Sequence, residues 1–172
     1  MKVPAESALR WWGIAPDAAA TERLGRALGR AAPDRATILL DGPLGAGKTT
    51  LAQGVARGCG VDVPVASPTY NLVLHYHGRR PFTHVDLYRL ADSAGLATLD
   101  LDEILGGEGV TCIEWPALVR SAVVPPYVEI TIERAVSAEL SNRRIAGRCV
   151  GDGWRKALDE LHAAGARIEE GA

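Results

Sequence analysis

The sequence predicts an α/β fold, a mostly parallel sheet flanked by helices, and three observations carry that prediction. Ala36-Thr37-Ile38-Leu39-Leu40 and Val110-Thr111-Cys112-Ile113 are short, nearly continuous apolar runs. Strands buried on both faces of a parallel sheet read this way. The first run leads through a glycine-rich turn into a helix-forming stretch, Leu51 to Arg57, that stops at Gly58-Cys59-Gly60. The spacing Leu24, Ala27, Leu28 and Ala31 gives one apolar helical face before these elements, and Trp154 to Ala164 reads as a closing helix after them.

Taken in order, residues 1–16 read as an irregular lead-in whose large apolar feature is Trp11-Trp12, packed on the domain or stacked on a ligand base. The domain proper is expected over 21–172, after a lead-in of residues 1–20. Thr21 is the expected N-cap of the first helix, which Pro33-Asp34 ends. After the second helix comes a proline-bearing loop, Asp62 to Tyr70. Asn71 to His77 and Phe82 to Leu87, joined by Gly78-Arg79-Arg80-Pro81, then predict a β-hairpin. Leu96, Leu99, Ile104 and Leu105 predict a helix around 93–105, closed by Gly106-Gly107. Tyr127 to Glu133 and Arg143 to Val150 read as two late strands before the closing helix. Ligands are expected at the carboxyl ends of the parallel strands.

The glycine-rich turn carries the chemistry. Gly42-Pro43-Leu44-Gly45-Ala46-Gly47-Lys48-Thr49-Thr50 fits G-x-x-x-x-G-K-[ST], the P-loop pattern, between a strand and a helix. Glycines let the backbone curl so that successive N–H groups face phosphate oxygens. The following helix adds roughly half a positive elementary charge at its N-terminus. Gly42, Leu44, Gly45, Ala46, Gly47 and Thr50 are thus candidate phosphate-loop positions. Lys48 is expected to reach the β- and γ-phosphates, and the Thr49 hydroxyl to ligate Mg²⁺. The fold is therefore expected to be P-loop NTPase-like. Such a site needs a carboxylate near the metal at the end of a neighbouring strand. Asp86 and Glu114 both qualify, and the residues alone do not choose between them. Thr69, in Ser67-Pro68-Thr69, sits where a γ-phosphate-sensing threonine would, with Pro68 stiffening the loop. His75-x-His77 has no third ligand nearby and reads as solvated edge histidines. Arg143-Arg144 reads as a polar strand end or as phosphate contacts.

The totals bound the rest. The chain has 172 residues, 47% of them hydrophobic, and a formal net charge of −2. That length suits one domain with its own core, and the charge gives no electrostatic footprint for gripping nucleic acid unaided. Three widely spaced cysteines suit reduced thiols rather than a disulfide framework. No apolar run approaches the length of a membrane span and the N-terminus has no signal-peptide core, so a soluble cytoplasmic protein without membrane contacts is expected.

The loop Gly42 to Thr50, Ser67-Pro68-Thr69-Tyr70, His84-Val85-Asp86-Leu87-Tyr88-Arg89-Leu90 and Ile113-Glu114-Trp115-Pro116 occur in this order and at suitable spacing. Together, over residues 21–150, they resemble the TsaE (YjeE) family, bacterial P-loop ATPases of tRNA threonylcarbamoyladenosine synthesis. Pro43 departs from that pattern, which carries an acid after the first loop glycine. The resemblance implies binding and slow hydrolysis of ATP to ADP with Mg²⁺, in company with TsaD and TsaB. TsaD transfers the threonylcarbamoyl group, and ATP hydrolysis is needed for repeated turnover. tRNA would be met indirectly, through the complex. By matching position, Thr49 and Glu114 are the implied Mg²⁺ ligands, directly or through water, and Leu44 to Thr49 the phosphate cradle. Asp86 is implied to be required for hydrolysis, Thr69 to belong to a switch-like loop, and Trp115 to lie beside the nucleotide.

Three other readings compete. A small-molecule P-loop kinase would need an arginine-bearing lid, and neither Arg79-Arg80 nor Arg143-Arg144 sits in a recognisable one. A GTPase would need Asn-Lys-x-Asp, which neither Asn71 nor Asn142 begins. A non-catalytic nucleotide-sensing subunit differs from a slow ATPase only by measured hydrolysis.

Overall fold

In the computed structural model the chain is described over residues 9–68, 70–90, 93–134 and 142–169. The elements are β1 (Leu9–Ala15), α1 (Ala18–Ala31), β2 (Ala36–Asp41), α2 (Lys48–Gly58), β3 (Val73–Tyr76), β4 (Phe82–Asp86), α3 (Ser93–Leu96), α4 (Leu101–Gly106), β5 (Val110–Glu114), β6 (Tyr127–Arg134), β7 (Arg143–Val150), α5 (Arg155–Ala163) and β8 (Arg167–Glu169). Eight strands form one sheet in the order β3-β4-β5-β2-β6-β7-β1-β8. The pairs β4–β5, β5–β2 and β2–β6 are parallel. The pairs at both flanks, β3–β4, β6–β7, β7–β1 and β1–β8, are antiparallel. The α/β fold, its flanking helices and the hairpin after the second helix are as expected. The parallel character is concentrated in the centre.

Burial explains that division. The two apolar runs, β2 and β5, lie side by side and are covered on both faces. On one face Ile38, Leu40, Val110 and Cys112 join α1, α2 and α5 in the larger core. On the other, Leu39, Val85 and Ile113 pack with Leu87, Ile104 and Val119 in a smaller one. The antiparallel flank alternates instead. Val128, Ile130, Ile132, Ile145 and Cys149 point into the larger core, whereas Glu129, Thr131, Arg144 and Arg148, at the intervening positions, line a cleft on the opposite face.

Several boundaries correct the sequence reading. Residues 9–15 are not irregular: they form β1, paired with β7 along its whole length and with β8. The signal is hidden because the inward positions are Trp11, Gly13 and Ala15, two of them small, while outward Trp12 and Ile14 are apolar. Trp11 is core. Trp12 stacks with the guanidinium groups of Arg144 and Arg167 at 5.8 and 5.0 Å from its ring centroid. Helix α1 starts at Ala18, with Asp17 as N-cap accepting from Ala20 N, and Thr21 lies inside its first turn. The helix expected over 93–105 is two short ones, because the Asp100 side chain caps Glu103 N and starts α4 afresh. The short β8 has no sequence signal of its own and forms as an edge on β1. His75 shares a hydrogen bond of 3.1 Å with Thr83 across the hairpin.

All three thiols are free and buried. Burial pushes Cys59 up to about 11 and Cys149 up to about 12, and Cys112 well above its ordinary value. Since the thiolate is the reactive form, no thiol is expected to react with Ellman's reagent at pH 8 in the folded protein, and three after unfolding in guanidinium. Fast labelling of one thiol before unfolding would contradict this packing.

Candidate functional site at the ends of the parallel strands

The parallel strands β2, β4 and β5 end together, and the site is built on those ends. Asp41 closes β2, and its side chain accepts from Gly42 N at 2.9 Å. The chain then turns through Pro43, whose carbonyl accepts from Ala46 N. Gly42 has φ 142°, and a Cβ there would sit 2.3 Å from Ile132 O. Gly47, with φ 109°, is the N-cap of α2. A side chain is excluded at the first position by space and disfavoured at the second by backbone conformation. No side chain caps the start of α2, so its first amides remain available to an anion.

The charged side chains converge on this turn. Lys48 is buried, and its Nζ donates to Gly42 O at 2.7 Å and Pro43 O at 2.9 Å. The ammonium also lies 3.8 Å from the Trp115 ring centroid, a cation–π contact. Burial lowers the Lys48 pKa, against the opposing pull of Glu114, Asp41 and Asp86. Thr49 Oγ1 donates to Glu114, at 2.9 Å from Oε1 and 3.2 Å from Oε2. Glu114 and Asp86 are register partners at the ends of β5 and β4, and both are buried. Asp86 Oδ1 accepts from Tyr88 N at 2.9 Å. The Tyr88 ring packs on Trp115 with centroids 5.0 Å apart.

Leu44, Gly45, Ala46, Gly47, Lys48, Thr49 and Thr50 line one cleft of about 340 Å³, with Ser67, Asp86, Tyr88, Glu114 and Trp115 on its other walls. Most sequence-predicted site residues are thus brought together. Thr69 lies outside the described residues. Trp11 and Trp12 are not in this lining; Trp12 belongs to a separate cleft on the open sheet face. Arg143 and Arg144 diverge. Arg143 Nε donates to Ala46 O of the glycine turn at 3.0 Å, so it braces the loop from outside, whereas Arg144 faces Trp12.

Trp115 holds its place by an unusual backbone, φ 58° and ψ 57°. Left-handed geometry in a bulky residue costs of order 1–3 kcal/mol and clusters at functional sites. Here it turns the indole toward Lys48. Sequence reasoning missed two contributors, Tyr88 and His84. The signal for His84 was its position two residues before Asp86 on a strand, which puts both side chains on one face.

The Thr49 hydroxyl and Glu114 carboxylate in contact, with the Asp86 carboxylate beside them, make a hard oxygen donor set, and the Lys48 ammonium and the uncapped start of α2 supply positive charge next to it. That is the environment Mg²⁺ with phosphates requires. Among the described residues no helix is long and apolar enough to cross a membrane.

Comparisons with known proteins agree on one family. A family model described as "Threonylcarbamoyl adenosine biosynthesis protein TsaE" matches residues 15–145. The chain is similar to the tRNA threonylcarbamoyladenosine biosynthesis protein TsaE of Treponema pallidum, 38% identical over 125 residues, covering 73% of this chain and 90% of that one. It is similar also to TsaE of Bacillus subtilis, 33% identical over 154 residues, covering 89% and 93% respectively. Among solved structures, the crystal structure of Bacillus subtilis YdiB superposes with a TM-score of 0.74 at 26% identity, covering 91% of this chain and 96% of that chain.

Proposed function

The chain belongs to the TsaE family of tRNA threonylcarbamoyladenosine biosynthesis proteins, and from that premise we propose that it binds and hydrolyses ATP with Mg²⁺ to sustain turnover of a TsaD–TsaB complex in the cytoplasm. The observation that carries the reading is the contact of Thr49 Oγ1 with Glu114, in one cleft with Lys48 and Asp86. A hydroxyl at the start of the helix and a carboxylate at the end of the adjacent strand are the two protein oxygens a phosphate-bound Mg²⁺ takes.

Each residue then has a task. The loop from Leu44 to Thr49 cradles the phosphates with its amides, that of Ala46 shared with the Pro43 carbonyl, and Gly42 and Thr50 close the turn on either side. Lys48 leaves the Gly42 and Pro43 carbonyls to meet the β- and γ-phosphate oxygens. Thr49 and Glu114 would hold Mg²⁺, directly or through water, and the chemistry it would supply there is neutralisation of charge on the phosphates. Asp86, already oriented by Tyr88 N, positions the attacking water. Trp115 walls the site beside the nucleotide, and Thr69 belongs to the loop that senses the γ-phosphate. Lys48, Asp86 and Glu114 are themselves buried, which strengthens these electrostatic contacts. The net charge of −2 supports a division of labour in which partner proteins grip the tRNA.

The test is multi-turnover threonylcarbamoylation of tRNA by purified cognate TsaD and TsaB with threonylcarbamoyl-adenylate in excess, with this protein added or omitted. Repeated turnover is expected with the wild type and ATP, and a single round without. No stimulation of partners shown to be active would overturn the reading and return attention to small-molecule phosphoryl acceptors.

A further inference from the structure

Glu114 accepts from two groups, Thr49 and a buried histidine outside the nucleotide cleft. His84 is fully buried on β4, and its Nε2 lies 2.8 Å from Glu114 Oε1. An ionised carboxylate can only accept, so the ring must carry its proton on Nε2. The other ring nitrogen, Nδ1, has no hydrogen-bond partner among the described residues. A buried polar atom left without a partner costs free energy comparable to a lost hydrogen bond. The fold tolerates that cost while keeping Nε2 on the carboxylate. Leucine or phenylalanine would fill such a core position without it.

The packing leaves His84 little freedom to do anything else. Its ring lies 6.0 Å from that of Phe82, and its register partner on β5 is Cys112, fully buried. Glu114 is held from opposite directions along the chain: Thr49 at the start of α2 and His84 on the neighbouring strand. Thr49 has one hydroxyl proton and one oxygen to share with a metal. Coordination through an oxygen lone pair leaves that hydroxyl its proton to donate, so the carboxylate stays held by Thr49 and His84 together. Outer hydrogen bonds of this kind fix ligating groups, and their loss typically costs 10–100-fold in metal affinity.

We propose that His84 is the positioning residue for Glu114, holding its carboxylate through the Nε2–H bond in the orientation that receives Mg²⁺ with the nucleotide. The inference rests on the assignment of Glu114 to the metal. His84 touches neither nucleotide nor metal, so its loss should weaken the metal-dependent part of binding and spare the rest.

The experiment is calorimetric titration of ADP into the full chain, with Mg²⁺ and with excess EDTA. Three variants are compared with wild type: His84→Leu and His84→Met, which fill the space without a donor, and His84→Gln, whose amide nitrogen reaches the Nε2 position. The gain in ADP affinity on adding Mg²⁺ is expected to shrink about tenfold in the donorless variants. It should recover to within about threefold of wild type in His84→Gln. Affinity in EDTA should stay within about twofold throughout, which also reports that the loop is folded, and either donorless variant suffices if the other does not fold. A Mg²⁺ gain unchanged in the donorless variants would overturn the proposal alone. So would a parallel loss of affinity in EDTA, which marks a general packing defect. A wild type with no Mg²⁺ gain would overturn the metal assignment of Glu114, and this inference with it.

Discussion

Replacing Lys48 by alanine is expected to lower ATP hydrolysis by roughly two to three decades, with nucleotide affinity falling far less. The residue is committed to the loop before any ligand arrives: its ammonium holds the Gly42 and Pro43 carbonyls and faces the Trp115 ring. A buried ammonium beside transferring phosphoryl oxygens stabilises charge that develops in the transition state, a contribution worth several kcal/mol. Each 1.4 kcal/mol is tenfold in rate, which gives the expected range. Folding should change little, because the two hydrogen bonds lost contribute about 1 kcal/mol each, offset by removing an amine whose charged form burial disfavours. The readouts are phosphate release with and without partners and a thermal melt. A fall of less than tenfold with a normal melt would mean that the phosphates sit elsewhere. In the threonylcarbamoylation assay the same variant should support the first round of transfer and fail to restart it.

Much of this site was legible in the sequence because its geometry is dictated locally. A glycine turn between an apolar strand and a helix has few conformations, and Lys48 and Thr49 follow from the turn. Glu114 and Asp86 were legible as acids ending apolar strands. What brings them into one cleft is the β4–β5–β2 order, a long-range fact that no local pattern states. Trp11 packs in the core and Arg143-Arg144 opens a strand, both within the sequence reading, but the contacts of Trp12 with Arg144 and Arg167 were not legible for the same reason. Their neighbours are set by β1 joining the sheet between β7 and β8, and β1 was missed because glycine and alanine occupy its inward positions. His84 was legible as a residue but not as a contact, since its target lies thirty residues away on the adjoining strand.

The largest effect on stability is expected away from the cleft, from Gly29→Ala. Helices α1 and α2 cross through four glycines, Gly25 and Gly29 on one and Gly54 and Gly58 on the other. A Cβ on Gly29 would lie 2.0 Å from Val55 O and 3.0 Å from Gly58 Cα, both backbone atoms that cannot swing aside. Gly25 is as confined, its Cβ falling 2.2 Å from Leu51 O. In an open helix interior Gly→Ala stabilises by up to about 1 kcal/mol. Here overpacking reverses the sign, and a net loss of about 2–3 kcal/mol is expected. For a chain of this size that is a fall in Tm on the order of 5–10 °C. Gly106→Ala is the control, since a Cβ there meets nothing within 4 Å, and it should melt at or near the wild-type temperature. The consequence reaches the site because α2 begins at Lys48 and Thr49. Pushing α2 off α1 moves the ammonium and the hydroxyl together, so at a temperature where Gly29→Ala is still folded its hydrolysis should fall as well. A variant that melts with wild type would show that the helices do not approach closely at Gly29, and that the loop is positioned by β2 alone.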